Sequence, residues 1–218
     1  MALAIFDLDN TLIAGDSDYL WGKFMCEQKL VDVETFRRGN DHFYEQYEQG
    51  TMNIHEYLGF ALEPLTRYSM EELKHYHDLF MTEQIRPIML EKARTLLQKH
   101  RDQGDHLMII TATSRFVTEP IAREFGVDTL LAIEAEIKDN RYTGNVVGTP
   151  TFQGGKVIRL QEWLTDNPGF SLEGSYFYSD SKNDLPLLQT VDYPFAVNPD
   201  PELERVARKK NWTVLNLR

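Results

Sequence analysis

Two aspartates one residue apart, Asp7 and Asp9, follow directly on the apolar run Leu3-Ala4-Ile5-Phe6. A second acidic pair, Asp180 and Asp184, follows Tyr176-Phe177-Tyr178, and Leu107-Met108-Ile109-Ile110 runs into Thr111-Ala112-Thr113-Ser114. Carboxylates gathered from distant points of a chain repel one another unless a cation sits between them. Hard oxygen ligands of this kind suit magnesium, which takes a few carboxylates together with water and substrate phosphate. Each fragment alone has an ordinary explanation, because Asp is common in turns and Asp and Asn cap helices. Their shared position at the ends of apolar runs is what argues for chemistry. Lys156 adds to it. It follows Gly154-Gly155 and opens a segment whose apolar face carries Val157, Leu160, Trp163 and Leu164. A cation at a helix N-terminus is disfavoured by about 0.3–1 kcal/mol, a mismatch that a bound anion offsets; the alternative is a surface lysine turned to water.

The elements that must position these residues follow from the hydrophobic pattern. Leu3–Phe6 reads as a buried strand ending at Asp7. Residues 15–86 carry helical patterning over about Ser17–Leu30, Asp32–Gln49, Asn53–Leu65 and Ser69–Glu83. Asn53 with Glu56, and Ser69 with Glu72, have capping-box spacing. After Pro87 the pattern alternates: a helix near Leu90–Arg101, a strand at Leu107–Ile110, a helix near Phe116–Phe125 and an apolar run at Leu130–Ile133. A β-hairpin across Glu134–Gly148 follows, turned at Asp139-Asn140. Then come a helix at Lys156–Thr165, a strand at Tyr176–Tyr178, a short helix from Leu185, and strands near Phe195–Val197 and Thr213–Leu217. This predicts an α/β fold: a Rossmann-like, mostly parallel sheet with helices on both faces. A four-helix cap is inserted after the first strand, and a small β-hairpin forms a flap. The core domain is 1–14 and 87–218, the cap 15–86. Ligands of such sheets bind beyond the carboxyl ends of the strands.

Composition narrows the partners. The chain has 218 residues and a formal net charge of -11. That balance argues against nucleic acid and anionic membranes as partners, so a phosphate site needs its own local cation, for which Lys156 is the candidate. No apolar run spans a bilayer. The N-terminal run lacks the basic residues of a signal peptide, and the single cysteine, Cys26, suits a reducing compartment. A cytoplasmic protein acting on a small molecule is expected. Its oligomeric state, monomer or homodimer, is left open.

With these motifs in order, the sequence resembles the haloacid dehalogenase superfamily of phosphohydrolases, in its phosphoserine-phosphatase-like branch (subfamily IB). Asp7-Leu8-Asp9-Asn10-Thr11 matches the first family motif, Thr111 the second, Lys156 the third, and Asp180 through Asp184 the fourth. Ser179-Asp180-Ser181 departs from the usual Gly-Asp-Gly. The resemblance implies a phosphomonoesterase with Asp7 as nucleophile and Asp9 as general acid and then base. It further implies Mg2+ held by Asp7, the backbone carbonyl of Asp9, and Asp180. Thr111, Ala112, Lys156 and Asn183 would bind the phosphoryl group, with Thr11 and Asp184 in support.

The cap would choose the substrate. Asp16 sits where phosphoserine phosphatases place the glutamate that binds the substrate amine, and it can equally be the N-cap of the first cap helix. Residues 15–86 hold 14 acidic and 7 basic residues, hence -7 of the net charge, and 12 of the 25 aromatic residues, among them Trp21, Phe43, Tyr44 and Tyr47. That bias leans toward a cationic leaving group, with some aromatic residues free to sandwich a planar ring. No clear match exists for the arginine that binds a substrate carboxylate. Arg37 and Arg38 can substitute or can simply be surface residues. Histidinol phosphate, a substrate of some bacterial members of the branch, is therefore the first expectation and phosphoserine the alternative. A phosphotransferase, mutase or phosphoprotein phosphatase could share every motif.

Overall fold

The computed structural model describes residues 2–218. Its sheet has seven strands: β1 (Leu3–Phe6), β2 (His106–Ser114), β3 (Thr129–Lys138), β4 (Arg141–Val147), β5 (Tyr176–Ser179), β6 (Tyr193–Val197) and β7 (Thr213–Leu215). They lie in the order β4-β3-β2-β1-β5-β6-β7, all parallel except β4. β1 is central and entirely buried, which is why it reads as an unbroken apolar run. Its alternation divides the core. Leu3 and Ile5 pack with Met108, Ile110, Leu160 and Leu203 on one face. Ala4 and Phe6 pack with Ile109, Val117 and Ile121 on the other.

Helices cover both faces. α5 (Glu91–Asp102) and α6 (Arg115–Phe125) lie on one, while α7 (Gly154–Asp166), α8 (Leu185–Leu188) and α9 (Pro201–Lys210) lie on the other. Between β1 and β2 the chain forms α1 (Ser17–Glu27), α2 (Val33–Gln49), α3 (Ile54–Leu62) and α4 (Met70–Phe80). Each begins at a polar cap: Asp16, Asn53 and Ser69, as predicted, and Asp32, with Ser69 forming a complete capping box with Glu72. Trp21, Phe24, Leu62 and Phe80 join the same apolar cluster as Phe6 and Ile109. Gly22 lets α2 come close, since a Cβ there would sit 2.5 Å from the Asn40 side chain.

The structure differs from the sequence reading in several elements. α1 stops at Glu27, short of Leu30, where Lys29 adopts a left-handed φ of 56°. α3 ends at Leu62 and continues as a 3-10 turn over Glu63–Arg67, because Pro64 has no N–H to extend the α-helical ladder. α4 ends at Phe80 and passes into one π-helical turn, Met81–Ile85. Leu130–Ile133 and the first arm of the hairpin are one strand, β3, which leaves the parallel sheet to pair with β4. Asp139 and Asn140 turn it, both at positive φ, as a two-residue hairpin loop requires. The sequence reading omits α9.

Candidate active site

Register brings the predicted residues together. Phe6 lies level with Ile109 of β2 on one side and Tyr178 of β5 on the other. Asp7, Thr111 and Asp180 therefore emerge at one edge of three adjacent parallel strands, at the point where the strand order reverses direction. The Asp7 amide donates to the Tyr178 carbonyl at 2.9 Å, which fixes the exit of β1. The Thr11 hydroxyl lies 3.3 Å from Asp7 Oδ2 and 3.2 Å from Asp180 Oδ1, so the two carboxylates face a common point. The Asp180 amide donates to the same hydroxyl at 3.1 Å.

Lys156, in the first turn of α7, is 2% exposed. Its Nζ donates to Asp7 Oδ1 at 2.8 Å and to Asp184 Oδ2 at 2.7 Å. Burial by itself would lower its pKa, but Asp184 and Asp7 hold it above the ordinary lysine value. Gly155 lets the start of α7 lie against the preceding loop, because a Cβ there would fall 2.0 Å from the Pro150 carbonyl oxygen. The departure from Gly-Asp-Gly also has a physical account. Ser179 Oγ donates to Asp184 Oδ2 at 2.7 Å and accepts from the Ser181 amide, while Ser181 Oγ accepts from the Asn183 amide. The two hydroxyls thus brace the loop. Asn183 reaches across to α2, its Nδ2 donating to the Tyr47 carbonyl at 3.3 Å.

Asp9 is oriented from two sides. Its Oδ1 accepts from the Ser17 amide at 2.6 Å and its Oδ2 from the Thr113 hydroxyl at 2.9 Å. Ser17 and Thr113 are contacts that the sequence reading missed; Thr113 stood in the quoted Thr111-Ala112-Thr113-Ser114 run. Thr111 and Ala112 lie where the β2–β3 pairing is irregular, between Ile110 and Ser114. The Thr111 hydroxyl accepts from the Thr113 amide at 3.2 Å.

The electrostatics call for a cation. Burial, with the charges of Asp184 and Asp9 added, pushes Asp7 up to about 7 even against Lys156. Asp180 is driven well above the carboxylate range, by burial first and then by Asp7 and Asp184. Burial and Asp16 push Asp9 up to about 7. One lysine does not neutralise this set. Among the described residues no three His, Cys, Asp or Glu side chains come together as a metal-holding group.

A pocket opens from Asp7, Asp9, Thr111, Ala112 and Thr113 toward the helical segment, where Asp16, Asp18, Tyr19, Phe43, Tyr44, Tyr47 and Tyr57 line it. Asp16 proves to be both the cap of α1, accepting from the amides of Asp18 and Tyr19, and a pocket residue. Three candidate specificity residues fall outside this pocket, where the structure selects the core or surface role that the sequence left open. Trp21 is buried against Phe24, His77, Phe80 and Phe116 in the apolar cluster and does not line the pocket. Arg37 and Arg38 are exposed on α2 and both pair with Glu34, as the helical i, i+3 and i, i+4 spacing favours. Asp18, Asn40, Met52 and Tyr57 are pocket residues that the sequence reading did not single out.

Known proteins resemble the chain over its whole length. The profile of the haloacid dehalogenase-like hydrolases matches residues 4–189. A histidinol-phosphatase of Neisseria meningitidis serogroup C (strain 8013) is 46% identical over 220 residues, covering 99% of each chain. A crystal structure of a protein of unknown function from Bordetella pertussis Tohama I superposes with a TM-score of 0.93 at 42% identity, covering 100% of this chain and 99% of that one. A substrate-bound phosphoserine phosphatase shares the fold, with a TM-score of 0.72 at 16% identity over 100% of this chain and 93% of that one.

Proposed function

The chain belongs to the haloacid dehalogenase-like hydrolases, and from that membership we propose that this phosphatase hydrolyses L-histidinol phosphate through an aspartyl phosphate on Asp7. The observation that carries the substrate is the contrast between the two ends of the pocket. At the sheet edge Asp7 lines the pocket, and Lys156, buried behind it, pairs with Asp7 and Asp184. At the other end Asp16 and Asp18 have no Lys, Arg or His ion-pair partner among the described residues, and aromatic rings surround them. Such a lining accepts a cationic, planar leaving group. A substrate carboxylate would find no arginine there, which weighs against phosphoserine.

In this reading a carboxylate oxygen of Asp7 attacks phosphorus in line and the ester P–O bond breaks. The leaving alkoxide oxygen takes a proton from Asp9, whose raised pKa keeps a useful protonated fraction near neutrality. Asp9 then accepts a proton from water as that water attacks phosphorus, the Asp7–phosphorus bond breaks, and inorganic phosphate forms. Asp7, the backbone carbonyl of Asp9, and Asp180 would hold Mg2+, which when bound supplies positive charge opposite the phosphoryl oxygens. Lys156, Asn183, Thr111 and the amide of Ala112 would contact those oxygens, and Thr11 and Asp184 would hold Asp180 and Lys156 in place. Residues 15–86 would serve as the cap over the core formed by 1–14 and 87–218, with Tyr47 meeting Asn183 at the seam. Among the described residues no helix is long and apolar enough to cross a membrane. A lone buried Cys26 is consistent with work in the cytoplasm.

A panel of phosphate monoesters, assayed with Mg2+ and again after chelation, tests the reading. The expected result is the highest kcat/KM for histidinol phosphate, loss of turnover on chelation and recovery on adding Mg2+ back. Preference for phosphoserine would overturn the substrate. Turnover only of phosphoproteins, or transfer to added alcohols in place of water, would favour the other reaction classes.

A further inference from the structure

Of the two cap-side carboxylates, Asp16 has one oxygen committed to backbone: its Oδ1 accepts from the Asp18 amide at 3.0 Å and from the Tyr19 amide at 2.8 Å. Asp18 is placed differently. It stands in the first turn of α1, its amide is already bonded to Asp16, and its side chain lines the pocket. The Tyr57 hydroxyl, from α3, donates to Asp18 Oδ2, and Oδ1 accepts no hydrogen bond among the described residues. Tyr57 is itself pinned by Phe43, edge to face at 5.4 Å, so the phenol is aimed rather than free. Tyr57 lies 39 residues from Asp18 and on another helix, and α2, which packs on α1 and sets Phe43 against Tyr57, brings the pair together.

We propose that Asp18, aimed by Tyr57, is the residue that selects for a positively charged leaving group, its open oxygen taking an N–H of the substrate's ammonium or imidazole. The chemical class recognised is a phosphate monoester carrying a cationic nitrogen on its alcohol side. This deepens the proposed function and rests on it for the identity of the best substrate. The sequence alone leaves Asp16 open between binding the substrate amine and capping α1, and Asp16 does cap α1. Asp16 caps α1 through Oδ1 while its Oδ2 accepts no hydrogen bond among the described residues, so Asp16→Asn is the comparison that separates the two carboxylates. Asp18 contacts substrate in this assignment, and Tyr57 is a positioning residue that acts through it.

The test compares kcat/KM for histidinol phosphate, phosphoethanolamine and glycerol phosphate in the wild-type protein and in Asp18→Asn, Tyr57→Phe and Asp16→Asn. Loss of one charged hydrogen bond corresponds to about a tenfold to hundredfold change. The ratio of cationic to neutral substrate should fall by about tenfold or more in Asp18→Asn, mainly through KM. It should fall less, and in the same direction, in Tyr57→Phe. A merely structural role would lower all three substrates alike and leave the ratio where it was, which would overturn the assignment. So would a fall in the ratio confined to Asp16→Asn. Should Asp18→Asn fail to fold, Tyr57→Phe decides by the same ratio. The outcomes also separate the two readings. If phosphoserine or another ester proves best, the phosphoethanolamine-to-glycerol phosphate ratio still reads Asp18. If histidinol phosphate proves best yet the ratio is unmoved in the variants, only Asp18 is wrong.

Discussion

Asp7→Asn is expected to cut turnover of every substrate by about 10⁴-fold or more, because removing a covalent nucleophile removes the reaction path rather than a contact. The fold should survive. Asn keeps the shape of the side chain, and Lys156 retains Asp184 at 2.7 Å. Relief of the repulsion among Asp7, Asp9 and Asp184 offsets part of the lost pairing. The check is a set of single-turnover rates beside a thermal melt. A melt within a few degrees of wild type with no product formation fits the account. Residual activity within about 10² of wild type would mean that water attacks phosphorus directly, with Asp7 only a bystander.

Lys156→Met should cost the most stability of any single change at the site. The side chain is 2% exposed and serves two carboxylates that are themselves buried. Removing one partner of a buried charge pair costs about 3–5 kcal/mol, because the remaining charge stays desolvated and unpaired. For a chain of this size each kcal/mol lowers Tm by about 2–4 °C. The double variant Lys156→Met with Asp184→Asn should recover part of that loss while remaining inactive, since it removes a stranded charge without restoring the phosphate contact. Calorimetry on both proteins checks this. A Lys156→Met protein that melts like wild type would show that the buried pairing contributes little.

Much of the chemical edge was legible because it is local. An aspartate directly after an apolar run marks the end of a buried strand, and Thr111, Lys156 and Asp180 carry similar signals at their own element ends. Parallel strand order does the rest once Phe6, Ile109 and Tyr178 are level. The cap-side lining was less legible. Asp18 and Tyr57 meet only through the tertiary arrangement of α1, α2 and α3, and no spacing along the chain encodes that contact. Trp21 shows the same limit, since a large aromatic on an amphipathic helix serves a core as readily as a pocket. Arg37 and Arg38 have Glu34 one turn earlier, a signal for an exposed helical pair that was present in the sequence. The signals for α9 are likewise present in the sequence. Asp200 caps it, Pro201 opens it, Glu202 and Glu204 sit in its first turn, Arg208-Lys209-Lys210 in its last, and Asn211 ends it in a left-handed conformation. The extent of β3 was harder to foresee, because one strand leaves the parallel sheet and continues into an antiparallel hairpin.

The central claim is that Asp7 carries the phosphoryl group in transit, and trapping that state tests it most directly. Asp9→Asn slows the second step, and a radiolabelled aryl phosphate, whose leaving group needs no protonation, allows the first. The protein is quenched in acid, digested and mapped. The account predicts a hydroxylamine-labile label on the peptide that contains Asp7, absent when Asp7→Asn is added. Label on another residue, or product formation with no labelled peptide, would contradict it.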